Sequence, residues 1–258
     1  VDLIREPIPV LPTVHYNMGG IATNWKGEAL TKKNGDADTV VPGLMALGEA
    51  GCVSVHGANR LGSNSLIDLV VFGRAAALHL AQILTPNDKQ PELPKDSAEL
   101  ALTRLDRFRN AKGGTATSEL RLKMQRVMQN NCAVFRDGPV LKEGVDLIHD
   151  VWKGTEDIRV SDRSLVWNTD LMETMEYDNL ISQAVVTMVA AAQRKESRGS
   201  HPRTDHGTRD HPNRRKHTLT WPAHETPTEQ HHFRPAHPSP LPNAHPTLPP
   251  EPQPHQPT

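Results

Sequence analysis

The chain has 258 residues, with 29 Lys and Arg against 30 Asp and Glu and a formal net charge of −1. That balance leaves no basic footprint for nucleic acid or an anionic membrane surface, and the length allows one or two domains with sizeable cores. Cys52 and Cys132, the 2 cysteines, form neither a disulfide framework nor a CxxC or Cys/His spacing, so no metal ligands are assigned.

Val1–Pro12 is extended, because Pro7, Pro9 and Pro12 exclude a helix. The chain opens VDLIREPIPVLP with no initiator Met and no signal-peptide pattern, and it is read as a fragment that starts inside a domain. Thr13–Thr23 mixes β-formers with Gly19-Gly20 and predicts a strand ending in a tight turn. Trp25–Asp38, polar with Gly27 and Gly35, predicts a hairpin and loop. Val40–Gly48 (VVPGLMALG) is a short apolar run and predicts a buried strand.

Glu49–Asn64 is rich in Gly, Ala, Ser and Asn and reads as a long loop. Asn64 or Ser65 then caps a helix running to about Leu84, before Pro86. Leu66–Leu84 is the longest apolar run, but Asp68, Arg74 and His79 interrupt it, so it is not read as a membrane span. Asp68 and Arg74 do not face each other at their spacing, and Asp68 is read as capping the first turn. Asn87–Asp96 is a proline-rich linker.

Helical periodicity then runs from Ser97 to Gln193, in segments Ser97–Asn110, Ser118–Asn131, Val140–Trp152 and Ser164–Arg194. The last is expected to break near Tyr177–Asn179. Arg104, Arg107 and Arg109 are read as a solvated face, and Met124, Met128, Met172, Met175 and Met188 as core. Short connections between amphipathic helices predict an antiparallel bundle. Beyond Arg194 the helical pattern stops. Ten of the 14 histidines and fourteen of the 22 prolines lie from His201 onward, a composition too poor in apolar surface to offset ordering entropy. The fold class is therefore α+β: mixed structure over 1–90, a helical bundle over 97–195, and an irregular, poorly ordered Pro/His-rich tail over 196–258.

Two features carry chemistry. In the first, Gly48-Glu49-Ala50-Gly51 and His56-Gly57-Ala58-Asn59-Arg60-Leu61-Gly62 lead from a strand through a glycine-rich loop to the helix start at Ser65-Leu66. Helix starts carry unpaired N–H groups and partial positive charge, which suit phosphate or an electron-rich ring, and Glu49 can accept from hydroxyls. A tight strand–loop–helix packing unit explains the same residues. The second feature is His15 before Gly19-Gly20, together with Arg60. Arg binds carboxylates bidentately and His can donate to a second one, so the pair suits a dicarboxylic acid. A satisfied core His and a solvated Arg are the bland alternatives.

The strings PVLPTVHYNMGGIATN, GLMALGEAGCVSVHGANRLGSNSLIDLVVFGRAAA, RKESRGSH and SDRSLVWNTDLMETMEYDNLISQAVVTM closely resemble the flavoprotein subunits of succinate dehydrogenase and fumarate reductase. The likeness covers residues 1 to about 200, with fainter echoes at Lys216-His217-Thr218-Leu219 and Phe233-Arg234-Pro235. HGANR is shared with L-aspartate oxidase, whereas LGSNSLIDLVVFGR points to the dehydrogenase and reductase branch and WNTDLMETMEYDNL leans toward the dehydrogenase. The resemblance implies that residues 1–90 are the C-terminal remainder of an FAD-binding α/β domain. It implies FAD as cofactor, with Glu49, Ser65 and Leu66 contacting it, and His15 and Arg60 binding substrate carboxylates. The implied activity is oxidation of succinate to fumarate, or the reverse. The implied partners are an iron–sulfur subunit and membrane anchor subunits, which pass electrons to quinone and hold the protein peripherally on the inner membrane, on the cytoplasmic or matrix side. No counterpart of the family's G-x-G-x-x-G fingerprint, its flavin-linking histidine or its proton-shuttle arginine occurs here, so no catalytic residue is assigned and the fragment alone is expected to be inactive. Ala22 stands where the family usually has Pro. A second reading is a non-catalytic remnant whose His-rich tail binds metal or a partner, although its His spacing is irregular apart from His231-His232.

Overall fold

The computed structural model describes Asp2, residues 4–9, 19–221 and 230–235. It has mixed helix and strand content, with helices dominating and only small sheets, an α+β arrangement. The first part opens with β1 (Ile21–Ala22), β2 (Glu28–Lys33), β3 (Asp36–Met45) and β4 (Gly51–Cys52). β1 lies parallel to β4, pairing Ile21 with Gly51 and Ala22 with Cys52. β2 and β3 form an antiparallel hairpin. Its turn residues Asn34 and Gly35 have φ of 52° and 87°, the left-handed pair that matches the twist of the flanking strands.

The hairpin extends further than the sequence indicates. Val40–Met45, expected to begin a separate buried strand, is instead the end of β3, with Val40 38% and Leu44 49% exposed. A continuous apolar run is buried only where a layer covers it, and β2–β3 is a two-stranded sheet among the described residues.

A 3-10 turn, Gly48–Ala50, and the loop after β4 lead to α1 (Asn64–Ile83). Ala76 on α1 is buried beside Gly27 and Leu47, and His79 Nε2 lies 3.2 Å from Glu28 Oε1, so the helix is tied to the hairpin. The residue at the cap position is Ser63, with φ of 65° and no side-chain cap bond, rather than Asn64 or Ser65. By length and composition α1 is apolar enough to cross a membrane, with a mean hydropathy of 1.5, which the charges within it had spoken against. Asp68 is nonetheless buried and ion-paired on the protein side.

After an exposed linker come α2 (Glu99–Arg109), β5 (Thr115–Ala116), α3 (Thr117–Asn131), α4 (Gly138–Lys153), β6 (Ile158–Arg159) and α5 (Thr169–Gln193). Asp137 caps α4 by accepting from Val140 N, and Asn168 caps α5 by accepting from Leu171 N. Phe108, Leu120, Met124, Leu141, Ile148, Tyr177, Ile181, Val185 and Met188 share one core. Gly144 lets α4 approach closely: a Cβ there would stand 2.6 Å from Asn131 Cβ and 2.7 Å from Met188 Sδ.

Three expectations are corrected here. α5 runs unbroken through Tyr177–Asn179. Tyr177 is fully buried, donates to Val151 O at 3.4 Å, and has its hydroxyl pKa pushed up to about 12 by that burial. The polar residues beside it are a docking point: Arg104 Nη2 lies 2.7 Å from Asp178 Oδ2 and donates to Asn179 Oδ1 at 2.7 Å. Arg104 is therefore not part of a solvated face, and Arg109 donates to Arg163 O at 2.7 Å. Met172 is 59% exposed rather than in the core, because α5 turns that side to solvent.

The tail begins later than its composition indicates. Glu196 is fully buried between Arg194 Nη1, at 2.6 Å, and Arg198 Nε, at 2.9 Å. Arg203 is buried on Asp205 at 2.7 Å. Ion pairs and hydrogen bonds, rather than apolar surface, order this stretch, and hydropathy does not count them. Beyond it, α6 (His211–Arg214) precedes β7 (Lys216–Trp221), which pairs antiparallel with β8 (Gln230–Pro235).

Candidate functional site

The parallel contact of β1 with β4 brings Gly19 and Gly20 beside the chain that enters the glycine-rich loop. A cleft there is lined by Gly19, Cys52, His56, Asn59 and Arg60. Arg60 is largely buried. Its Nη2 donates to Gly48 O at 2.5 Å and more weakly to Gly51 O at 3.5 Å, and its Nη1 donates to Ser65 Oγ at 3.3 Å. The sequence-selected residues Arg60 and Ser65 are thus brought together. Glu49 is exposed on the 3-10 turn, and Leu66 is 69% exposed on the first turn of α1. His15 lies outside the described residues.

The start of α1 differs electrostatically from those of α4 and α5. It has no side-chain cap and no acidic residue in its first turn, so the partial charge of the helix end is not compensated locally. Beside it lies the exposed apolar surface of Leu66 and Ile67. A helix start without a side-chain cap, an adjacent exposed apolar surface and a nearby carboxylate fit the polar edge, rings and hydroxyls of a flavin dinucleotide.

Asp68 is the residue that sequence reasoning placed wrongly. It does not cap the first turn. Its side chain is 2% exposed, with Oδ2 2.6 Å from His56 Nε2 and Oδ1 3.6 Å from Arg60 Nη2. The available signal was an acid inside an otherwise apolar helical run, since a buried carboxylate requires a partner. A second contact also went unread. Gly199, with φ of +60°, packs on the same loop, where a Cβ would meet Ala58 Cβ at 2.8 Å.

Comparison with known proteins gives one consistent result. Residues 121–253 match the family model for the fumarate reductase flavoprotein C-terminus, and residues 1–66 match that for the FAD binding domain. Over 219 residues the chain is 57% identical to the mitochondrial succinate dehydrogenase [ubiquinone] flavoprotein subunit of Oryza sativa subsp. japonica, a match covering 85% of this chain and 35% of the rice protein. The fumarate reductase flavoprotein subunit of Haemophilus influenzae is 39% identical over 222 residues, covering 86% of this chain and 35% of that protein. In three dimensions the chain matches E. coli quinol fumarate reductase FrdA with a TM-score of 0.78 and 34% identity, over 91% of this chain and 39% of that one. The chain thus spans about a third of the length of the curated relatives it matches.

Proposed function

Because this chain belongs to the succinate dehydrogenase and fumarate reductase flavoprotein family, we propose that it is the C-terminal part of a succinate dehydrogenase flavoprotein subunit. In this reading the parent enzyme oxidises succinate to fumarate and passes electrons through an iron–sulfur subunit to quinone. It sits peripherally on the inner membrane, held by its partner subunits. Identity of 57% to a dehydrogenase against 39% to a reductase supports the dehydrogenase direction.

FAD is the cofactor of the family, and when bound it supplies a two-electron acceptor. Ser65 and Leu66 at the uncapped start of α1, and Glu49 on the turn before β4, are the residues that would hold it. Arg60 is assigned to one substrate carboxylate and His15 to the other. The observation that carries this reading is Arg60 itself, held at the base of α1 by the carboxylate of Asp68 and the carbonyl of Gly48. Its contacts to Gly51 O at 3.5 Å and Ser65 Oγ at 3.3 Å are weak. A carboxylate offers charge-assisted bonds in their place, and the fork of the guanidinium orients the substrate.

The test uses the flavin-loaded enzyme that contains this chain. Replacing Arg60 by Ala should weaken transition-state binding of succinate by about 2–5 kcal/mol while FAD stays bound. Unchanged turnover and unchanged malonate inhibition would remove Arg60 from the site. In His15→Ala the change in flavin spectrum on adding fumarate should disappear. A colourless protein after purification with FAD would favour a non-catalytic remnant instead.

A further inference from the structure

We propose that Asp68 is the positioning residue of this site: its buried carboxylate clamps His56 and Arg60 together and thereby aims the substrate-binding guanidinium. The proposal rests on the assignment of Arg60 above and adds to it the residue through which Arg60 is held.

Asp68 is 3% exposed, whereas Ile67, Leu69 and Val70 next to it on α1 are 58%, 45% and 70% exposed, so the carboxylate is on the covered side of the helix. A carboxylate in that setting is retained only with partners, because water no longer solvates it. Its two oxygens are divided between them, Oδ2 meeting His56 Nε2 at 2.6 Å and Oδ1 meeting Arg60 Nη2 at 3.6 Å. Both partners come from one loop, and that loop needs an anchor. Its regular pairing ends at Cys52, and Ser54 and Ser63 sit at φ of 72° and 65°, a region that side-chain-bearing residues adopt only when their surroundings hold them there.

The clamp also sorts the nitrogens of Arg60. Nη2 is held by Asp68 and the carbonyl of Gly48, whereas Nη1 rests on the Ser65 hydroxyl at 3.3 Å. Ser65 stands at the helix start assigned to the flavin. Asp68 thus fixes the inner side of the guanidinium and leaves its outer side toward the assigned cofactor. His56 lines the cleft beside Arg60 and keeps the carboxylate oriented, so removing it should loosen the clamp without abolishing it.

The experiment measures malonate dissociation by flavin difference spectroscopy in the full flavoprotein, alongside FAD content. Asp68→Asn should raise the malonate Kd at least tenfold with FAD content unchanged. His56→Gln should raise it about threefold, since Arg60 keeps its carboxylate. Arg60→Lys is measured in parallel. An unchanged Kd in Asp68→Asn, with Arg60→Lys weakened, overturns the positioning role and leaves the function standing. An unchanged Kd in Arg60→Lys overturns the assignment of Arg60 itself. A Kd rise in Asp68→Asn that merely tracks flavin loss also overturns positioning, as the residue would then be structural. If Asp68→Asn yields no flavin-loaded protein, His56→Gln decides, and a wild-type Kd there refutes the clamp.

Discussion

The two halves of the molecule use apolar sequence in opposite ways. On α1, Leu66, Val70 and Val71 are 69%, 70% and 50% exposed. On α5, Tyr177, Ile181 and Met188 are each 0% exposed. The helical region closes a core within itself. Among the described residues the region bearing Arg60 does not, and its loop is instead held by a few contacts: the polar ones of Asp68 with His56 and Arg60, and the close packing of Gly199 on Ala58. In the first region, then, single polar residues decide geometry, whereas in the second packing decides stability.

The sharpest way to break that contrast is a pair of truncations. Ile181→Ala should cost about 2–5 kcal/mol, because a fully buried side chain leaves a cavity. Val70→Ala should change stability by no more than about 0.5 kcal/mol in this chain. Chemical denaturation of the two variants checks both. Equal losses would mean that the outer face of α1 is covered, and the contrast would fall.

The next effect belongs to the segment after α5, where charge rather than apolar area does the ordering. Burial pushes the Glu196 carboxyl up, but bonds from Arg198, the Asp210 N–H and Arg194 outweigh it and bring the pKa to about 2. Glu196→Gln strands two arginines beside a neutral amide, and the expected loss is about 3 kcal/mol. The pH dependence has a definite sign. The folded pKa lies below the ordinary 4.5, so this stabilisation is complete above about 4.5 and is lost as pH falls toward 2. Acid titration of the melting temperature should show that loss in the parent and not in Glu196→Gln. Gly199→Ala should have a smaller effect, about 1–2 kcal/mol, from its left-handed backbone and its contact with Ala58.

What was legible in the sequence follows the same division. Local signals read well: the polar stretch Trp25–Asp38, with Gly35, marked a hairpin, and the helical periods of α2 to α5 appear within a few residues of their predicted spans. Signals that depend on what lies across space read poorly. Val40–Met45 looked buried because apolar runs usually are, but among the described residues no layer covers it. Tyr177–Asn179 looked like a break because Asp and Asn are poor helix formers, yet Arg104 takes up their polarity. At the site, the order of Arg60 and Ser65 along the chain was enough to place them together, since loop and helix start are adjacent. The Asp68–His56 pair spans the whole loop and has no local pattern. Residues 196–205 were read as part of a poorly ordered tail because composition scales count apolar area and not pairs of ions.

The smallest expected effect tests whether that charge-ordered segment is tuned as well as paired. His201 Nδ1 accepts from Arg136 Nη1 at 2.8 Å, and Nε2 donates to Arg194 O at 3.0 Å. Only a neutral ring with its proton on Nε2 makes both bonds, and a second proton would point an N–H at a guanidinium. Burial lowers the pKa from the ordinary 6.5. The bond to Arg194 O opposes that, and the charges of Arg136, Arg203 and Arg194 reinforce it. The unfolded chain therefore takes up the proton first as pH falls. The stabilisation is complete above about 6.5 and is lost as pH drops through the lowered folded value. Gln at this position offers both an acceptor and a donor without titrating. His201→Gln should match the parent in melting temperature near neutral pH and decline less steeply on acidification to about pH 5. Glu196 stays ionised throughout that interval, so it cannot produce the difference. Parallel slopes in the two proteins would assign the acid sensitivity to another histidine and leave His201 as a packing residue alone.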